Sequence, residues 1–231
     1  MKKIKLHSET VYFFGIVLLA FSVAMLTAAD FGISMIVAPA YILSVKTGFL
    51  TFGQAEYVIQ AFLFVAFCVV MKRFRVVYLS SFLTCLIYGA VLDLWRLLPL
   101  FDPNVTPPGS MGMPLRVAMF VVGMLLTSFS VACFFKTYLY PQVYDFFVKG
   151  VSAKFHKNRS VFKTVFDLSC LAVGTVMTLA FFGSFVGIRW GTLLMALING
   201  TIIGFCDKLI DKLFEITPFL ARFAARFDLE A

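Results

Sequence analysis

Long uncharged apolar runs alternate with short charged stretches along nearly the whole chain. The runs are Val11 to Ala29, Tyr57 to Met71, Val76 to Leu92, Val117 to Phe135, Leu168 to Ile188 and Trp190 to Cys206. The second extends backwards through Thr47 to Ala55, with only Glu56 interrupting. Roughly 20 apolar residues at 1.5 Å per residue cross a hydrocarbon core of about 30 Å. The pattern therefore predicts six spanning helices, over about 11–29, 53–71, 76–99, 114–135, 163–183 and 190–206. The alternating segments of about 10 residues that mark a membrane β-barrel are absent. A continuous helix satisfies every backbone amide within its own segment, which lipid demands. The expected class is an all-α membrane protein, with residues 1–231 forming a single polytopic domain.

Two further stretches are too short or too polar to span. Gly32 to Val45 follows Asp30 and holds Ser34, with Pro39 in its middle. Thr137 to His156 holds Pro141, Tyr144, Asp145, Lys149 and Gly150. Short apolar stretches are more often re-entrant or interfacial than spanning, and proline removes a backbone donor and bends or breaks a helix. Both are read as broken segments.

The order of these elements repeats. Gly15 to Ala24 reads GIVLLAFSVA and Gly123 to Ala132 reads GMLLTSFSVA, identical at six of ten positions. Cys85 to Gly89, CLIYG, is echoed by Ala196 to Gly200, ALING. Counted back from the two closing glycines, Glu56 and Asp167 lie at the same distance. Self-similarity of this kind marks a doubled unit. Repeat 1 covers about 10–99 and repeat 2 about 114–206, with the Pro/Gly-rich DPNVTPPGSMGMP as the seam and 207–231 as an amphipathic tail. Three spans per unit is odd, so the second unit must enter the membrane from the opposite face. The expectation is two inverted three-helix repeats, an arrangement that recurs in secondary transporters, whose sites lie at the repeat interface.

Charge sets the orientation. With the amino terminus inside, 16 of the 20 Lys and Arg residues fall on inner segments and only Lys46, Arg96, Arg116 and Arg189 on outer ones. That asymmetry predicts cytoplasmic termini. The net charge of +8 is spread over span ends, so no basic nucleic-acid module is present. The MKKIK start and its apolar run are read as the first membrane helix and not a leader, because the matching run at Gly123 is internal. The tail places Phe219, Phe223 and Phe227 on one helical face, with Arg222 and Arg226 at the same spacing, an interfacial pattern. Five cysteines are scattered without a CxxC or Cys/His cluster, so neither a disulfide framework nor a metal site is expected.

Ionisable groups inside spans are costly, and their default reading is functional. The candidates for substrate or coupling ion are Glu56, Asp167, Asp93, Asn199 and Tyr88. Asp30, Ser34, Pro39, Pro141, Tyr144 and Asp145 are candidates from the broken segments. Structural readings stand beside these. Glu56 and Asp167 would suit first-turn carboxylates facing orphan amides. Asp93 would suit an ion pair with Arg96, three residues on. Asn199 would suit interhelical bonding. Ala20, Ala24 and Ala28 form a small-residue stripe for close helix approach. No nucleophile–base pair, P-loop or dinucleotide fingerprint occurs, so an enzyme is not expected and no cofactor is implied.

The stretches ADFGISMIVAPAYIL, FLTFGQAEYVIQ and CLIYGAVLD resemble the YczE/YyaS-like bacterial integral membrane proteins, related to the YitT group. ALINGTIIG fits the same duplicated plan, so the resemblance covers most of the chain. It implies a bacterial plasma-membrane protein of about this size, without a particular activity. The resulting expectation is a small-molecule permease working by alternating access, with lipid and an unidentified solute as partners. A substrate-binding subunit of a multi-component importer, docking through the alanine stripe, and an accessory protein acting through its tail are the alternatives. A homodimer or a partner membrane subunit is left open, and no nucleic acid is expected.

Overall fold

The computed structural model describes residues 3–157, 159–220 and 224. Among these, six helices are long and apolar enough to cross a membrane: Ser8–Ala29, Phe52–Met71, Val76–Trp95, Met113–Phe135, Val161–Phe182 and Trp190–Leu213. The elements in chain order are β1 (Ile4–His7), α1 (Ser8–Ala29), α2 (Ala38–Thr47), α3 (Phe52–Met71), a 3-10 turn (Val76–Tyr78), α4 (Leu79–Trp95), α5 (Met113–Phe135), α6 (Val143–Lys154), α7 (Arg159–Phe182), α8 (Trp190–Leu213) and β2 (Phe214–Thr217). The chain is a helical, multi-pass membrane protein.

α1 and α5 form the centre. Burial covers 61% of the α1 span and 56% of the α5 span, against 11% to 39% for the other four. They are also the two helices that carry the repeated ten-residue sequence. Gly15 of α1 faces the Phe134 ring of α5, Gly123 of α5 faces Leu26 of α1, and the hydroxyls of Ser22 and Thr127 meet at 2.8 Å midway. Early residues of one helix meet late residues of the other, so the two run antiparallel. Glycine is used at both crossings because a Cβ would come within 3.0 Å of the opposing side chain. Ala20, Ala24 and Ala28 are likewise buried in this core. The small-residue stripe is thus consumed inside the molecule, and the docking surface expected there does not exist.

The remaining helices pack in matching pairs. α4 lies against α1 as α8 lies against α5, α3 holds α2 as α7 holds α6, and α3 packs on α6 as α7 packs on α2. Each half thus reaches across to the broken segment of the other.

Those segments differ from the expectation in detail. Pro39 does not break a helix but sits in the first turn of α2, where the missing amide would have had no intrahelical acceptor. The break lies earlier: Asp30 closes α1 in the left-handed conformation at φ 54°, and a turn through Ser34 bonds Val37 and Ala38 to the Ser34 carbonyl. In the second half Pro141 precedes α6, whose N-cap is Gln142.

Two boundaries also move. The third span ends at Trp95, before Pro99, in a series of turns. The last helix runs on through Asp207 and Asp211 to Leu213, and Lys136 lies 2.8 Å from each of those carboxylates. Beyond it, β2 pairs in parallel with β1 from Ile4↔Phe214 to His7↔Thr217, a two-stranded ribbon that amends the purely helical expectation. Phe219 stacks edge-on against His7, and its amide donates to Glu9. Arg222, Phe223, Arg226 and Phe227 lie outside the described residues.

Candidate functional site

A cavity of about 610 Å³ lies between the two halves, within the size range of small-molecule sites. Its wall includes both connecting segments, with Ser34 to Val37 from the first and Pro141, Gln142, Tyr144 and Asp145 from the second. The central helices α1 and α5 contribute Val23, Thr127 and Phe134, α4 contributes Tyr88, and α7 and α8 supply Asp167 and Asn199. Seven of the eleven residues named from the sequence line this space: Ser34, Tyr88, Pro141, Tyr144, Asp145, Asp167 and Asn199.

The polar part of the wall has a definite electrostatic sense. The Lys163 ammonium sits 2.9 Å from Asp145 and 3.2 Å from Asp167, one turn along α7. Among the described residues, two carboxylates share one ammonium here, a formal charge of −1. Asn199 accepts a hydrogen bond from the Ser128 hydroxyl. The Tyr88 hydroxyl and Gln142 Nε2 are buried without a hydrogen-bond partner among the described residues. Such groups cost free energy unless something pairs with them.

Glu56 lies one layer behind the wall. It has no exposed surface, and its Oε2 accepts from Tyr144 at 3.0 Å and from Gln60 at 2.9 Å. Gln60 also accepts from the Val143 amide at 3.1 Å and donates to Gln142 Oε1 at 3.2 Å. This network joins α3 of the first half to the start of α6 of the second. Glu56 and Asp167 occupy equivalent places in the two halves but different surroundings: Glu56 holds an interior hydrogen-bond network, and Asp167 belongs to an ion cluster on the cavity surface.

The other named residues stand apart. Asp93 takes the Thr51 hydroxyl at 2.5 Å and the Gly53 amide at 2.9 Å, so it caps α3 across the α3–α4 crossing, a role that needs no substrate. Its neighbour Arg96 lies over the Phe52 ring at 5.5 Å. Asp30 pairs with Arg189 at 2.9 Å and Arg116 at 3.9 Å, tying the end of α1 to the starts of α5 and α8. Burial raises the Asp30 carboxyl above its ordinary value, against the opposing pull of those two guanidinium groups. Pro39 only starts α2.

One relationship is not repeated between the halves. α3 packs closely on α4, because Gly53 and Gly89 cross backbone to backbone with no room for a Cβ at either position. Among the described residues, α7 and α8 make no comparable contact. The positions equivalent to Gly53, Cys85 and Gly89 are Thr164, Ala196 and Gly200. The first three are buried, whereas the second three are exposed and line the cavity. Two sequence differences account for this. Thr164 carries a branched side chain where Gly53 has none, and Gly204 replaces the Asp93 carboxylate that clamps the start of α3. α7 also begins at Arg159, five residues before Thr164, so no free amide waits there to be capped.

The chain matches the model described as a family of unknown function (DUF6198) over residues 6–208. It belongs to that family. No curated protein and no solved structure matches it. The matched region includes the whole cavity wall, so every residue lining the cavity is part of the DUF6198 unit.

Gln60, Gln142 and Lys163 are among the polar residues of the site that went unread in the sequence. A signal was present for two of them. Gln60 follows Glu56 and Lys163 precedes Asp167 by four residues, the spacing that stacks side chains on one helix face. Gln142 carried none, because its place follows from the turn before α6.

Proposed function

We propose that this protein is a small-molecule permease of the bacterial plasma membrane, in which two inverted three-helix repeats alternate access to the cavity between them. One observation carries the reading: a chamber of small-molecule size, walled by both halves and both connecting segments, with Asp145, Lys163 and Asp167 on its surface. Irregular backbone at membrane depth is tolerated where it is buried or lines a cavity, and these turns do the latter.

The inverted arrangement is supported by the core. The Gly15–Phe134 and Gly123–Leu26 contacts interchange when the two halves are exchanged, and they join antiparallel helices. An axis that swaps such helices runs perpendicular to them, hence within the plane of the membrane. The basic-residue asymmetry puts both termini in the cytoplasm, on the side of the β1–β2 ribbon. The resemblance to YczE/YyaS-like proteins belongs to the same proposal and adds no activity to it. Asp145 and Asp167 are the coupling carboxylates in this scheme. Glu56 acts through Tyr144 as a positioning residue, and no covalent chemistry is assigned to the site.

The test is two-sided accessibility at Asn199. In a chain with Cys68, Cys170 and Cys206 changed to serine and the buried Cys85 and Cys133 retained, Asn199→Cys is exposed to a membrane-impermeant maleimide. Modification in both right-side-out and inverted vesicles is expected. Modification from one side only, under every condition, removes alternating access.

A further inference from the structure

We infer that the cavity takes a lipid-dissolved amphiphilic organic cation, which enters sideways between α7 and α8 and seats its charged head on Asp145 and Asp167. This rests on the permease reading and adds to it the class of ligand and its route.

The route follows from the broken equivalence of the halves. Thr164, Ala196 and Gly200 line the cavity and are exposed, while Gly53, Cys85 and Gly89 are sealed. A Cβ at Gly200 would meet nothing within 4 Å. The flanking surface is apolar and belongs to spanning helices: Leu168 is 54% exposed, Leu193 54% and Leu197 80%. Such a surface meets hydrocarbon and not water, so what crosses the gap arrives from the lipid. A strongly hydrated ion would have to shed its shell to travel that path. An amphiphile is already there.

The head follows from the ion cluster. Among the described residues, two aspartates facing one lysine leave a negative charge unmatched at the cavity edge, and an incoming ammonium or iminium balances it. A second observation points the same way. Tyr88 and Gln142 are each more than nine-tenths buried, line the cavity, and hold a hydrogen-bond donor with no acceptor among the described residues. The ligand therefore carries an acceptor, such as an ester, ether or hydroxyl oxygen, as well as its cation. The body meets Val23, Ile36, Phe134, Met195 and Ile203. Methionine adapts to irregular apolar shapes, and an aromatic ring attracts a delocalised cation.

The experiment uses the full chain in phosphatidylcholine nanodiscs with rhodamine 6G, a fluorescent monocation bearing an ester, read by anisotropy against empty discs. Saturable binding is expected, weakened at least tenfold in the Asp145→Asn/Asp167→Asn double variant. Gly200→Trp, which fills open space and so keeps the wild-type melting temperature, is expected to weaken it similarly by blocking the gap. Wild-type affinity in both variants, or equal binding of an anionic fluorescein ester, overturns the inference. So does a dimer in which a second copy covers Gly200. Unchanged rhodamine binding in the variants with two-sided labelling at position 199 removes the cation and leaves the permease. The expected loss of binding with one-sided labelling removes the permease and leaves the cation site.

Discussion

The Tyr144 hydroxyl lies 3.0 Å from Glu56 Oε2 and donates to it, across the boundary between the two halves of the molecule. Both residues are buried, so the bond is made where water cannot replace it. It carries the wall of the cavity on a carboxylate that the cavity itself never touches. Removing one partner of such a bond costs about 1–3 kcal/mol. Tyr144→Phe is therefore expected to lower the melting temperature in detergent. Glu56→Gln, which retains an oxygen acceptor, is expected to cost less. An unchanged melt in Tyr144→Phe would show that the bond contributes nothing.

The glycines of the two closing motifs should respond in opposite ways. At Gly89 a Cβ would run into the Tyr57 ring and the Gly53 carbonyl, and overpacking of this kind costs about 1–3 kcal/mol. At Gly200 the same Cβ enters open space, and alanine relieves the conformational freedom of glycine, worth up to about 1 kcal/mol in a helix. Gly89→Ala should destabilise and Gly200→Ala should be neutral or stabilising. Equal thermal shifts would mean that the two helix pairs are packed alike.

Lys163 pairs with two carboxylates at once, so its removal should be worse than the loss of either acid. Lys163→Met leaves Asp145 and Asp167 facing each other unpaired, whereas Asp145→Asn leaves the Lys163–Asp167 pair intact. Adding Asp145→Asn to Lys163→Met should recover part of the lost stability, a coupling that a double-mutant cycle reads directly. Strict additivity of the two shifts would disprove the three-member cluster.

Asp30 gives a pH signature outside the spans. Its carboxyl is raised by burial, so the folded protein holds that proton more tightly than the unfolded chain does. The stabilisation is complete below the ordinary carboxyl range and is lost as pH rises through the folded value. Asp30→Asn lacks this dependence. The melting temperature of the variant minus that of the wild type should increase from pH 4 to pH 7. A difference that stays flat or falls would place the carboxyl at or below its ordinary range.

Much of this molecule is legible as sequence, for identifiable reasons. The six spans follow from transfer free energies that add residue by residue along a helix, and the doubled motif shows directly which residues are equivalent. Tyr88, Asp167 and Asn199 stood out because polar groups are rare in such surroundings. Asp93 looked the same by that criterion, yet the start of another helix claims it, and no one-dimensional pattern separates a cap from a ligand. Pro39 was placed in the right segment but given the opposite effect, since its consequence depends on whether the helix begins before it or at it.

Alone, then, the chain determined six helices long and apolar enough to cross a membrane and a motif that occurs twice, because hydropathy and identity are properties of position along a line. Which helices touch was decided only in three dimensions. The closed α3–α4 crossing and the open α7–α8 gap differ through a glycine that meets another backbone and a glycine that meets nothing. Packing depends on what stands opposite each residue, and that is set by the fold as a whole.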